Sequence, residues 1–206
     1  MIEVLGRANS INVQKVMWCA HELSLEVVQR DIGGAFGGTG TPEFLAMNPN
    51  GQIPVLQDDG FTIWESNAIV RYLCTRYDLF GWRPRSPMQE GKANQWMDWY
   101  LSTLHPPMTT VFLQLIRTPS NEMDQQVLDA AFVRCCHYWS IVNQHLAAND
   151  YMLGEKICMA DIPVGCSAYR WFSLDLMRPD MPHLNRWFET LCARQAFRTH
   201  VQLPLT

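Results

Sequence analysis

Apolar and polar positions alternate differently in the two halves of the chain. Over the first eighty residues, short β-type runs are interleaved with helical stripes. Ile2-Glu3-Val4-Leu5 reads as a strand, Asn12 to Leu23 as a helix, Leu25 to Ile32 as β-rich, and Pro42 to Met47 as a short helix. Pro54 to Gln57 and Phe61 to Trp64 read as strands bracketing the turn Asp58-Asp59-Gly60. A helix over Glu65 to Tyr77 places Ile69, Tyr72 and Leu73 on its inner face. The order βαβ followed by αββα predicts a mixed sheet with helices packed on it.

From Pro87 onward the strand period disappears. Long helices are expected from Met88 to Ile116, Asn121 to Ala148, Met159 to Phe172 and Met181 to Arg194. In the second of these, Val127, Ala131, Arg134, Tyr138, Ile141 and His145 recur at spacings of three or four, a mostly apolar stripe expected to face the core. The link from Asp78 to Pro87 is rich in Gly, Pro and Arg, which suits a boundary between units. The expected domains are residues 1–80, α/β, and 87–206, all-helical.

Composition narrows the function classes. The 206 residues are 48% hydrophobic and 17% charged, ordinary values for a globular chain. A net charge of −4 argues against non-specific nucleic-acid binding. The longest apolar runs, such as Ala68-Ile69-Val70, fall far short of the ~20 residues a membrane span needs. Met1 to Arg7 has no signal-peptide pattern, so a soluble cytoplasmic chain without nucleic-acid or membrane partners is expected. Seven cysteines without a Cys-x-x-Cys pair suit reduced, buried thiols better than a disulfide framework. His137 follows Cys135 and Cys136 too closely for all three to ligate one ion, and no metal site is expected.

The glycine-rich stretch Gly33 to Gly40 lacks the Gly-Lys-Ser/Thr ending of a phosphate loop and reads as a flexible surface loop. Asn48-Pro49-Asn50-Gly51-Gln52-Ile53-Pro54-Val55-Leu56 is more informative. A cis bond at Pro54 would leave the Ile53 backbone free to pair with an extended peptide-like ligand; an ordinary trans turn accounts for the same residues. Glu65-Ser66 stands where a strand gives way to a helix. Glu65 can accept from an ammonium, while Ser66 and the free helix N–H groups can hold a carboxylate, so the pair can grip an α-amino acid group. The same pair is also a common helix start.

Taken together, Asn-Pro-x-Gly-x-Ile-Pro-x-Leu, Glu-Ser-x-Ala-Ile and Gly154 followed by Ala160-Asp161-Ile162 resemble the cytosolic glutathione transferases over essentially the whole chain. The resemblance implies a thioredoxin-like N-terminal domain with a mixed four-stranded sheet and an all-α C-terminal domain lining the electrophile site. It implies a cis bond at Pro54, backbone pairing of Ile53 with the cysteinyl part of glutathione, Glu65 and Ser66 on the γ-glutamyl end, and Gln52 near the glycine end. It also implies a homodimer, with glutathione as co-substrate and a small electrophile as partner.

Ser10-Ile11-Asn12-Val13-Gln14-Lys15-Val16 resembles the catalytic loop of serine-type members, with Asn12 in place of their proline. It is similar also to a bacterial class with Thr-x-Asn there. Ser10 and Asn12 are therefore the expected donors to the glutathione thiolate, with Asn12 as a helix N-cap the rival reading. Cys19 is expected in the core. Arg7, Trp99, Met108 and Phe112 are candidates for the electrophile site, and a surface role is the alternative for Arg7. The implied activity is conjugation, with dehalogenation among the possible reactions. Glutathione-dependent disulfide or peroxide reduction, or glutathione binding without catalysis, are the alternatives.

Overall fold

A computed structural model describes residues 1–206. The chain forms two compact units: residues 1–83 together with 195–203, and residues 84–194 together with 204–206. The segment 195–203, expected in the helical unit, groups with the first.

The first unit runs β1 (Ile2–Leu5), α1 (Ile11–Glu22), β2 (Val27–Arg30), α2 (Pro42–Met47), β3 (Val55–Asp58), β4 (Phe61–Trp64) and α3 (Ser66–Tyr77). The sheet has the order β2-β1-β3-β4, with β1 and β2 parallel and the other pairs antiparallel. Leu5, Phe44 and Val55 form a buried cluster, with Ile32, Met47 and Ile53 packed against it. Val13, Val16, Trp18, Ile69, Val70 and Leu73 are fully buried on α1 and α3, which pack together. Tyr72, expected on the inner face, is only half-buried and donates to Asp58 Oδ2 at 2.7 Å. Asp58 itself lies inside β3 and is buried, not in the turn. Tyr77 also donates to it, tying the end of α3 to the sheet.

Helix α9 (Gln195–His200), which the periodicity did not suggest, completes this unit. It packs on α1, where the Phe197 and Trp18 rings meet edge-on with centroids 4.8 Å apart.

The second unit is helical: α4 (Pro87–Trp99), α5 (His105–Phe112), α6 (Gln125–Leu146), α7 (Asp161–Ser173) and α8 (Pro182–Cys192). The expected continuous helix from Met88 to Ile116 is interrupted by π-helical turns at Tyr100–Leu104 and Leu113–Arg117. Pro106 and Pro107 remove two consecutive backbone donors, so the regular ladder cannot run through them. In α6 the buried stripe is Leu128, Ala131, Cys135, Trp139, Val142 and Leu146. The stripe expected from Val127, Arg134, Tyr138, Ile141 and His145 is displaced by one position, and Val127 and Arg134 face solvent. Five of the seven cysteines, Cys19 among them, are buried. No helix is long and apolar enough to cross a membrane.

Candidate active site

The strand register gathers four segments at one end of the sheet. Leu5 pairs with Arg30 on one side and with Val55 on the other, and Val55 pairs with Trp64. The loop into α1, the glycine-rich loop, Ile53-Pro54 and the start of α3 therefore all leave the sheet at the same end. Two glycines allow close approach there. A Cβ on Gly6, which has φ +155°, would sit 2.5 Å from Val13 Cγ2 and 3.2 Å from Ile53 Cβ. A Cβ on Gly33 would sit 3.2 Å from Ile53 Cδ1. The Ile53 side chain is thus held between two loops that only glycine lets come so near.

The Ile53–Pro54 peptide bond is cis. Ile53 precedes β3, and its N–H and C=O take part in none of the turn or loop backbone hydrogen bonds. Asn48 steadies the segment from below: it is buried, donates through Nδ2 to the Gln52 carbonyl at 2.7 Å and accepts from Asn50 N–H at 3.1 Å. The Gln52 side chain is left exposed.

Ser10 is the N-cap of α1, 8% exposed, and its hydroxyl makes no capping hydrogen bond. This corrects the reading of Asn12 as the cap. Asn12 lies inside the first turn, and its Oδ1 accepts from Lys15 Nζ at 2.9 Å and from Ser66 Oγ at 3.2 Å. Asn12 and Ser66, expected in one site, are in direct contact. Ser66 is buried at the first position of α3. Glu65 before it is exposed, holds φ +72° and caps nothing through its side chain. That backbone region is unfavourable for a residue with a Cβ, and such outliers concentrate at ligand sites.

Arg7 is half-buried, donates to Asn9 Oδ1 and lies over the glycine-rich loop, where a Cβ on Gly34 would meet its Nε at 2.8 Å. The loop contains a single 3-10 turn, Gly34–Phe36. In the helical unit Trp99 is half-buried and meets Trp96 and Tyr138 edge-on. Met108 and Phe112, expected to line the electrophile site, are each 2% exposed. Met108 Sδ accepts from Trp139 Nε1, and the Phe112 ring lies 3.9 Å from the Arg170 guanidinium. Both are core packing of the helical unit.

Lys15, Gly6 and Gly33 were not anticipated. A glycine directly after a strand signals close backbone approach. A lone lysine within Val13 to Ala20, otherwise apolar apart from Gln14, signals a buried ammonium with a task.

Residues 2–75 match the family model for the glutathione S-transferase N-terminal domain, and 104–195 that for the C-terminal domain. The chain is 37% identical to glutathione S-transferase GstB of Escherichia coli over the full length of both. It superposes with a TM-score of 0.96 and 39% identity on the theta class glutathione S-transferase of Xanthomonas axonopodis pv. citri with glutathione bound, covering 100% of this chain and 99% of that one. It is also 31% identical to elongation factor 1-gamma of Danio rerio, over 80% of this chain and 37% of that protein. By both domains and by a full-length relative, the chain belongs to the cytosolic glutathione transferase superfamily.

Proposed function

We propose that this chain is a glutathione transferase that binds glutathione at the sheet end of the first unit and attacks a small electrophile with its thiolate. The observation that carries the reading is the unpaired Ile53 backbone at a cis Pro54 beside two helix starts, α1 and α3, whose N-cap side chains make no capping hydrogen bond. Ile53 would pair with the cysteinyl backbone, Glu65 and Ser66 would hold the γ-glutamyl group, and Gln52 would reach the glycine carboxylate.

The chemistry needs a thiolate. A free thiol with pKa ~8.5 is mostly protonated at neutral pH, and lowering it by two units takes about 2.7 kcal/mol. A hydrogen bond to a charged group contributes roughly 1.5–3 kcal/mol, so one good donor nearly suffices. The Ser10 hydroxyl is the main donor in this proposal, with the Asn12 amide assisting. Neither acts as a base; both stabilise the anion, and its sulfur forms the new bond as the leaving group departs from the electrophile. The protein acts as a cytoplasmic homodimer.

Two other readings use the same fold. Reduction of disulfides or peroxides needs the same thiolate, and glutathione binding without turnover needs only the residues that hold glutathione. Retention on immobilised glutathione, a conjugation assay and a peroxidase assay separate the three. Ser10→Ala is expected to lower conjugation near pH 7 about ten- to hundredfold and to leave glutathione affinity nearly unchanged. A larger rise in bound-thiol pKa for Asn12→Ala than for Ser10→Ala would reverse the donor assignment. Failure to bind glutathione would overturn the function.

A further inference from the structure

Lys15 lies one turn into α1 with no solvent exposure. A lysine normally carries its ammonium to water along a flexible stem, and burial of the charge is costly unless it is matched. Here Nζ is 2.9 Å from Asn12 Oδ1 and 3.4 Å from Ser66 Oγ, and Ser66 Oγ donates to the same Asn12 oxygen at 3.2 Å. An amide oxygen has two lone pairs, and these two donors take both. The orientation of the amide is thereby fixed: the oxygen faces Lys15 and Ser66, and the Nδ2 protons face the opposite way.

We propose that Lys15 is a positioning residue for the thiolate. It locks Asn12 with its amide as donor and places a buried positive charge on the far side of that amide, where it polarises the N–H toward a developing anion. The inference rests on the reading of Asn12 as a thiolate donor. A purely structural lysine, tying α1 to α3, would share the geometry but would have no bearing on the sulfur.

The test uses the full chain with glutathione. Lys15→Met keeps the length of the side chain and removes both donor and charge. The ultraviolet thiolate band of bound glutathione at pH 7 is expected to fall about threefold, as the thiol pKa rises about one unit from ~6.5, and kcat for conjugation should fall with it. KM for glutathione should change less than kcat does, because of the residues proposed to hold glutathione only Ser66 touches Lys15, while Ile53, Glu65 and Gln52 do not. In an Asn12→Ala background the same substitution should change the band less than about twofold, since the effect passes through Asn12.

If the Met variant does not fold, Lys15→Gln keeps a neutral donor to Asn12 and should lower the band about 1.5-fold, as a neutral hydrogen bond is weaker than a charged one. An undiminished band in Lys15→Met, or in Lys15→Gln where only that variant folds, overturns the assignment. So does an undiminished effect of Lys15→Met in the Asn12→Ala background. A wild-type protein that binds glutathione without any thiolate band overturns the donor reading beneath it instead.

Discussion

At the start of α7 the Asp161 carboxylate accepts from three N–H groups: Cys158 at 2.9 Å, Met152 at 3.0 Å and the Trp187 indole at 2.9 Å. At the starts of α1 and α3, Ser10 and Glu65 accept from none. Both are polar residues with the atoms to cap a helix. Nor is a lack of capping general in the first unit, because Thr41 Oγ1 accepts from Phe44 N–H at the start of α2. Elsewhere Ser86 caps α4, Asp124 caps α6, and Asn143 reaches across to accept from His183 and Leu184 N–H at the start of α8. The starts of α1 and α3, at the candidate site, have polar N-cap side chains that make no capping hydrogen bond. A polar side chain at a helix start that is satisfied by its surroundings holds a fold together, whereas one left without a partner is available to a ligand, and the same residue types serve both ends.

The largest test of this contrast is Asp161→Ala. Three donors in a fully buried place would lose their acceptor, and roughly 3–5 kcal/mol of stability should go with it, read by denaturant unfolding. A loss below about 1 kcal/mol would mean that the packing around the start of α7 does not depend on this carboxylate.

A pH titration of unfolding sharpens the same point. Burial pushes the Asp161 carboxyl up to about 6 from 3.8, with the three N–H groups opposing the rise. The folded chain therefore binds this proton more tightly than the unfolded chain. Its contribution is most favourable below the unfolded value near 4 and falls by roughly 3 kcal/mol as pH rises to about 6. Comparison of wild type with Asp161→Asn between pH 4 and 7 should isolate that slope, and parallel curves would rule it out. Asp58 acts in the opposite sense at lower pH. Its burial alone would raise the carboxyl, but hydrogen bonds from Tyr77 and Tyr72 and the nearby Arg76 hold it below 3.8, so its contribution is lost as the medium becomes more acid than that.

At the open start of α3, Glu65→Gly should separate function from stability. Glycine accepts φ +72° without strain, so stability should hold or rise by up to about 1 kcal/mol. Loss of the carboxylate should weaken glutathione binding about ten- to hundredfold, the value of one charge-assisted hydrogen bond, measured by calorimetry. A parallel loss of stability would show that Glu65 serves the fold after all.

The smallest effect is at Cys158, the residue three before Asp161. Its thiol is a poor acceptor where a hydroxyl would complete the capping box, and Cys158→Ser should add about 0.5–1 kcal/mol, seen as a higher melting midpoint.

Much of this arrangement is readable from sequence because it depends on local chemistry. The strands at Ile2 to Leu5 and Phe61 to Trp64 and the helix at Pro42 to Met47 appear where their patterns place them. Pro54, Glu65 and Ser66 stand at the loop and helix start where their motifs put them. What the residues did not disclose depends on register and tertiary contact. The α6 stripe was misplaced because Arg134 and His145 fit the spacing as well as Cys135 and Leu146 do, and only the neighbouring helices choose between them. Asn12 reads equally as a thiolate donor or a cap because its amide can serve as either; the contact with Ser66, 54 positions away, is invisible along the chain. Met108 and Phe112 looked available because an apolar residue is the same letter in a core or at a pocket wall.

The return of residues 195–203 to the first unit has a consequence for synthesis. Residues 1–83 leave the ribosome first, yet Trp18 meets Phe197 only after every residue of the helical segment has been translated. Until then one face of α1 has no partner, and the sheet unit waits, complete in its strands but not in its core, for a helix encoded after the other unit.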